Sequence, residues 1–153
     1  MSATDYESEE GVVRSRLLVL VFIGSLAGGS AFASARPTLQ LRQTGVGTIL
    51  VNSRGYTLYT FSRDSRNRDV CVKLSGCLYV WPALASAHPT AGRGVNRRLI
   101  GTITVPGVGK QVTYAGHPLY TYIGDDGPGQ ANGNDLDLNG GLWYEMRVTG
   151  QAG

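Results

Sequence analysis

The sequence predicts an all-β domain built from two pseudo-repeated hairpin-plus-strand units that form one small barrel or sandwich, after an N-terminal signal segment. Three observations carry this. Residues Gly55-Tyr56-Thr57-Leu58-Tyr59-Thr60-Phe61-Ser62-Arg63-Asp64 return 61 positions later as Gly116-His117-Pro118-Leu119-Tyr120-Thr121-Tyr122-Ile123-Gly124-Asp125, and Trp81 is answered by Trp143. An internal repeat of this kind means one supersecondary unit used twice. The 22 Gly and 6 Pro, with many Tyr, Thr and Val, suit short strands joined by tight turns. No helical period of useful length follows residue 35.

The leader comes first in the chain. Residues 17–27 form an apolar core preceded by Arg14 and Arg16, and Ala33-Ser34-Ala35 is a small-x-small cleavage site that leaves Arg36 as the mature N-terminus. The competing reading is an uncleaved anchor, but 28–35 is mostly Gly, Ser and Ala, too weakly apolar to favour the bilayer core strongly. Asp5, Glu7, Glu9 and Glu10 are wrong for a positive n-region, and a start at Val13, read from a GTG codon, restores a compact basic one. The segment implies a secreted or cell-envelope location, with membrane contact only through the leader if it is uncleaved.

After the leader the expected organisation is a polar, flexible arm over 36–45 and a single β domain over 46–148, with repeats near 46–84 and 108–148. Residues 48–51 and 56–61 read as two strands joined by a turn in which Gly55 supplies positive φ. Along the second strand Tyr59 and Phe61 share one face and Leu58 and Thr60 the other, so both faces are apolar and the strand is central. Residues 78–84 begin as a strand that Pro82 ends. Residues 85–98 are loop, 99–105 alternate as a strand, and 106–109 turn. Residues 110–123 repeat the hairpin, 124–141 form a long Gly/Asn/Asp loop, and 142–148 close with a strand.

Two cysteines, Cys71 and Cys77, are present. In an exported chain a close pair reads as a disulfide, with a gain of roughly 2–2.5 kcal/mol for so short a loop. A metal site would want a second pair or a nearby His, and redox chemistry a Cys-x-x-Cys spacing.

Formal charge is +3 overall. Residues 1–35 hold two Arg against four acids, so the remainder carries +5. Its arginines form small clusters, 63/66/68 and 93/97/98, rather than the dense stripe or known module that nucleic-acid binding needs. A weakly basic surface instead suits an anionic envelope polymer or lipid surface, and another surface protein is a further candidate partner.

At the repeated residues the chain resembles a bacterial family, the secreted repeat of unknown function, also described as predicted lipoproteins with a Tyr-x-(Phe/Trp/Tyr)-x-x-Asp motif. The motif is matched at 59–64 and 120–125. Cys71…Cys77-x-x-x-Trp81-Pro82 and Gly140-Gly141-x-Trp143-Tyr144 are similar to its other elements. The resemblance spans about 46–148 and implies an exported domain without an established biochemical role. Lipidated members carry Cys after Leu-Ala-Gly; here Gly29 follows Leu26-Ala27-Gly28, so no thiol is there to be lipidated.

The motif residues Tyr59, Phe61, Asp64, Tyr120, Tyr122 and Asp125 are the first candidates for a site. Each Asp lies just past an aromatic strand end, where a carboxylate accepts backbone N–H groups and fixes a turn. The sharper alternative is a hydrolase in which a pseudo-twofold brings Asp64 and Asp125 to one cleft. The aromatics read as packing, or, if exposed, as a platform for carbohydrate. Asp135-Leu136-Asp137-Leu138-Asn139-Gly140 copies the opening of a calcium loop, but position twelve is Met146, with Glu145 one place early. Calcium held by Asp135, Asp137 and Asn139 is the one cofactor the sequence suggests. His88 and His117 are isolated, and neither a phosphate loop nor a nucleophile elbow is present. The leading expectation is a non-enzymatic exported binding or structural module, with calcium-dependent binding through the 125–139 loop and hydrolysis by paired Asp64 and Asp125 as alternatives.

Overall fold

The computed structural model describes residues 36–153; the leader expected over 1–35 lies outside them. The chain is all-β and carries its repeats in three small antiparallel sheets rather than a closed barrel. In the first half, β1 (Leu39–Thr44) and β2 (Gly47–Asn52) form a hairpin that runs from the Leu39–Asn52 pair to Thr44–Gly47. The second half repeats it as β4 (Ile100–Val105) and β5 (Gly109–Tyr114), with β6 (His117–Pro118) beside β5. The remaining sheet orders β3 (Tyr59–Phe61), β8 (Gly141–Glu145) and β7 (Leu136–Leu138). The turns after β2 and β5 use Gly55 at φ 89° and Gly116 at φ 86°, a conformation that a Cβ would strain.

The halves are interlocked. Tyr59 and Tyr120 lie back to back and exchange backbone bonds, N–H to carbonyl, at 2.8 and 3.0 Å. This pair sits on a pseudo-twofold. On one side of it Leu50 N–H donates to the Met146 carbonyl, Met146 N–H to that of Leu58, and Leu58 N–H to that of Leu50. On the other side Val112, Leu84 and Leu119 make the same triangle. Thus the last strand of the second half completes the first, and residues 83–85 of the first complete the second.

Two cores flank this axis. One is aliphatic and gathers Leu39, Leu50, Leu58, Val112, Leu119 and Met146 with Tyr114. The other gathers Tyr59, Phe61, Trp81, Tyr120 and Trp143 around the Cys71–Cys77 disulfide, whose Cα atoms are 5.4 Å apart. The alternation of Leu58 and Tyr59 sends one side chain into each, as a central strand requires.

Three expectations are corrected. The arm over 36–45 is instead largely strand β1, and Leu39 is fully buried. Residues 78–84 do not begin as a strand: Cys77–Val80 is one helical turn, α1, entered through Gly76 at φ 72°. The disulfide closes the chain too tightly there to run extended, and extended pairing begins only at Ala83. The loop over 124–141 contains β7, which hairpins into β8 through a two-residue turn, Asn139-Gly140, at φ 60° and 75°.

Candidate functional site

The motif side chains assemble on the pseudo-twofold, and they do so by exchange between halves. The Tyr59 hydroxyl donates to Asp125 Oδ2 at 2.8 Å, and the Tyr120 hydroxyl donates to Asp64 Oδ2 at 2.8 Å. The other oxygen of each carboxylate ties down its own loop. Asp64 Oδ1 accepts from Val70 N–H at 2.7 Å, and Asp125 Oδ1 accepts from Asn132 N–H at 2.9 Å. Tyr59 also accepts from Gly133 N–H at 3.2 Å. Each Asp is therefore a clamp between its own loop and the other half's tyrosine.

The rings are ordered by the same symmetry. Phe61 stacks on Trp143 at 4.2 Å, Trp143 on Trp81 at 3.8 Å, and Trp81 on Tyr122 at 4.3 Å, a continuous stack of four. Tyr59 meets Trp81 edge-on at 5.4 Å and Tyr120 meets Trp143 edge-on at 5.1 Å. Tyr59, Tyr120 and both tryptophans are fully buried and Phe61 nearly so; Tyr122, at the open end, is partly exposed. The motif is a packing device whose geometry supplies stacked and edge contacts between rings.

Burial raises the Asp64 carboxyl to about 7, against the lowering pull of the Val70 N–H and the Tyr120 hydroxyl; the neighbouring Asp69 raises it further. Asp125 is also raised, by burial first. Burial and the facing carboxylates hold both Tyr59 and Tyr120 in the protonated, donating form. A carboxyl that titrates higher folded than unfolded stabilises fully below its unfolded value of about 4 and loses that contribution as pH rises through its folded value. The two Asp act together in this sense. His117 acts oppositely, since burial and Arg66 lower it and its contribution is lost as pH falls. The expected result is a melting temperature on the order of 5 °C higher at pH 5.5 than at pH 8.5. Asp64→Asn should flatten that profile, whatever it does to stability at any one pH; an unchanged slope in thermal melts would refute the assignment.

Asp64 and Asp125 share no hydrogen-bond partner. Asp125 borders a cavity of about 290 Å³ with Arg54, Tyr56 and Tyr122, and Asp64 is not part of its wall. Asp135 and Asp137 are exposed, just before β7 and in its middle, while the Asn139 carbonyl accepts from Arg63 Nη1 at 3.0 Å. That guanidinium opposes a second cation at the turn. Among the described residues no group of three or more His, Cys, Asp or Glu is placed to hold a metal ion. His117 lies half-buried in β6 and His88 in the exposed loop after residue 85.

Sequence reasoning missed the exchange of partners and the four-ring stack. The nearly equal offsets of the motif and of the two tryptophans, 61 and 62 residues, were the available signal: rings repeated together can pair across a dyad. It also missed Asp69 and Glu145, both buried; Asp69 Oδ1 accepts from Val72 N–H at 2.8 Å, and Glu145 pairs with Arg147 at 2.9 Å.

The fold and its clamps define a class: an all-β domain of two interlocked repeats, stapled by one disulfide. The chain belongs to the family described as a secreted repeat of unknown function, matched twice, at residues 41–85 and 101–144. Both matches cover a hairpin and a copy of the motif. No curated protein and no solved structure matches the chain.

Proposed function

We propose that the chain is an exported, non-enzymatic binding module whose partner is anionic. The observation that carries this reading is how the fold sorts its charge. Of the fourteen basic residues, Arg14 and Arg16 belong to the leader, and eleven of the other twelve are exposed. From residue 36 onward there are seven acidic residues, of which Asp126, Asp135 and Asp137 alone are exposed. The clamps turn carboxylates inward, so the surface is more cationic than the net charge suggests. A field of one sign steers and holds a partner of the other. The family's description, a secreted repeat, agrees with a partner outside the cytoplasm.

The state of the motif carboxylates supports a role without turnover. Paired-carboxylate hydrolysis needs both groups to face one bond, whereas here each is engaged by a tyrosine and a backbone N–H of its own. The test is retention of the purified mature chain on immobilised polymers. Binding to phosphodiester or carboxylate polymers is expected to weaken steeply between about 0.05 and 0.3 M salt, as screening shortens the reach of surface charge. Equal binding to a neutral glucan, or release of reducing sugar from any polymer tested, would overturn the reading.

A further inference from the structure

We propose that each half carries an anion cleft at the motif glycine, and that the larger, in the first half, takes a phosphate group of a phosphodiester wall polymer. This rests on the anionic-partner reading above and names its site.

The cleft beside Gly55 has a volume of about 450 Å³, and Arg36, Arg42 and Arg54 all line it, with Gln40, Gln43 and Ser53; no carboxylate does. Arg42 is held by missing side chains. A Cβ on Gly55 would come 2.9 Å from Arg42 Nη2, and one on Gly129 would come 3.0 Å from its Cδ. Two bare glycine faces thus cradle the arginine against the turn. Arg54 is fixed by the same turn, because buried Asn52 accepts from the backbone N–H groups of Arg54 and Tyr56 at 2.9 and 3.1 Å. Its guanidinium lies 5.9 Å over the Tyr56 ring.

The second half has the corresponding cleft by a different route. Arg66, from the loop after Asp64, lies against Gly116, where a Cβ would meet its Cγ at 2.7 Å. Arg98, 62 residues after Arg36, shares the cavity of about 200 Å³, again without a carboxylate in the wall. A strand supplies the arginine over one glycine and a loop supplies it over the other. The backbone repeat does not demand this, so two independent placements of a guanidinium at one location point to its charge.

Among the described residues the one ion pair is Arg147 with Glu145, so these arginines lack a carboxylate partner there. Guanidinium groups gathered in one concavity repel, and an anion between them reverses the sign of that interaction. Phosphate fits better than a single carboxylate, because its tetrahedral oxygens accept from several guanidinium forks at once. A concave wall disfavours a flat bilayer. Nucleic acid would want an open ring for stacking, and Arg54 covers Tyr56, the ring of the same turn. Two clefts on one chain let a flexible polymer engage both, which multiplies affinity without new contacts.

The experiment measures binding of the mature chain to poly(glycerol phosphate) as a function of salt, beside phosphatidylglycerol vesicles, a single-stranded oligonucleotide and poly-glutamate. Arg42→Gln with Arg54→Gln should weaken polymer binding at least tenfold and flatten the salt slope. Arg66→Gln with Arg98→Gln should weaken it less, and the charge-matched control Arg93→Gln with Lys110→Gln at most about twofold. Arg42→Lys with Arg54→Lys should recover only part, since an ammonium lacks the fork. Thermal melts check folding, and if a Gln pair fails to fold the Lys pair together with competition by inorganic pyrophosphate on the unaltered chain decides. Equal loss from every pair, or no competition by pyrophosphate, overturns the clefts and leaves the anionic-partner reading standing. Tighter binding to vesicles, oligonucleotide or poly-glutamate overturns the phosphodiester polymer as ligand. Absence of binding to every polyanion overturns both.

Discussion

Cut between Arg93 and Gly94, the mature chain is expected to give two fragments that are unfolded apart and native when mixed. Both residues are exposed, and the cut falls in a turn outside every strand and helix. Fragment 36–93 keeps the β1–β2 hairpin and the disulfide but loses β8, the partner of β3, and the Tyr120 backbone that pairs with Tyr59. Its Tyr59 hydroxyl loses Asp125 and its Asp64 loses Tyr120. Fragment 94–153 suffers the mirror losses, because Leu84 of the first half bridges Val112 and Leu119. An isolated hairpin is marginal in water, and each half would expose three of the six rings of the shared core. Mixing restores the junctions at the entropic cost of bringing two chains together, so the complex should form with a measurable, concentration-dependent midpoint. Proton NMR reads the outcome: dispersed amide signals from either fragment alone would refute the interlock, while dispersion on mixing supports it. A further consequence is that the two repeats are not two domains. Damage in either one should unfold both in a single transition.

What the sequence made legible is what local chemistry decides. The turns at Gly55 and Gly116 follow from positive φ, and the central strand follows from apolar residues on both of its faces. The strand over Leu39–Thr44 is hard to read because only Leu39 is fully buried and only Leu41 shares its apolar face, the other four residues being polar as an edge strand's often are. Leu78-Tyr79-Val80-Trp81 has strand-forming residues, yet the constraint from Cys71–Cys77 and the left-handed Gly76 outweighs a propensity worth less than about 1 kcal/mol. The candidate site was half visible. The repeat announced that Tyr59 and Tyr120, and Asp64 and Asp125, hold equivalent positions, and a carboxylate fixing its own turn was expected. Periodicity tells which face a side chain takes but not which strand it meets, so nothing in the residues says that each tyrosine reaches the other half's aspartate. Within the calcium-like run at 135–140, Asn139-Gly140 is the tight-turn pair that joins β7 to β8.

Trp143→Ala should remove a large part of the domain's stability. The ring is fully buried, stacked between Phe61 and Trp81, and met edge-on by Tyr120. Truncating a buried Trp to Ala costs about 3–5 kcal/mol, against a total stability of about 5–15 kcal/mol for a native domain. Trp81→Ala removes the symmetric ring and should cost a similar amount. The two conservative changes should differ, however. Trp143 Nε1 donates to the Leu138 carbonyl at 3.1 Å and so anchors the β7–β8 hairpin, whereas Trp81 Nε1 is buried without a partner. Trp143→Phe therefore loses ring area and the bond to the Leu138 carbonyl, which costs about 0.5–1.5 kcal/mol more than area alone. Trp81→Phe loses area but also removes an unpaired N–H whose burial is itself unfavourable. Urea unfolding should then rank Trp81→Phe as the milder change, with both alanine variants far below. Equal costs for the two phenylalanine variants would mean that the Leu138 bond contributes nothing. A mild Trp143→Ala would mean that the four-ring stack is not what holds the halves together. The ranking separates the two roles the motif combines: the stack supplies area on the dyad, and the polar clamps at its rim decide which half meets which.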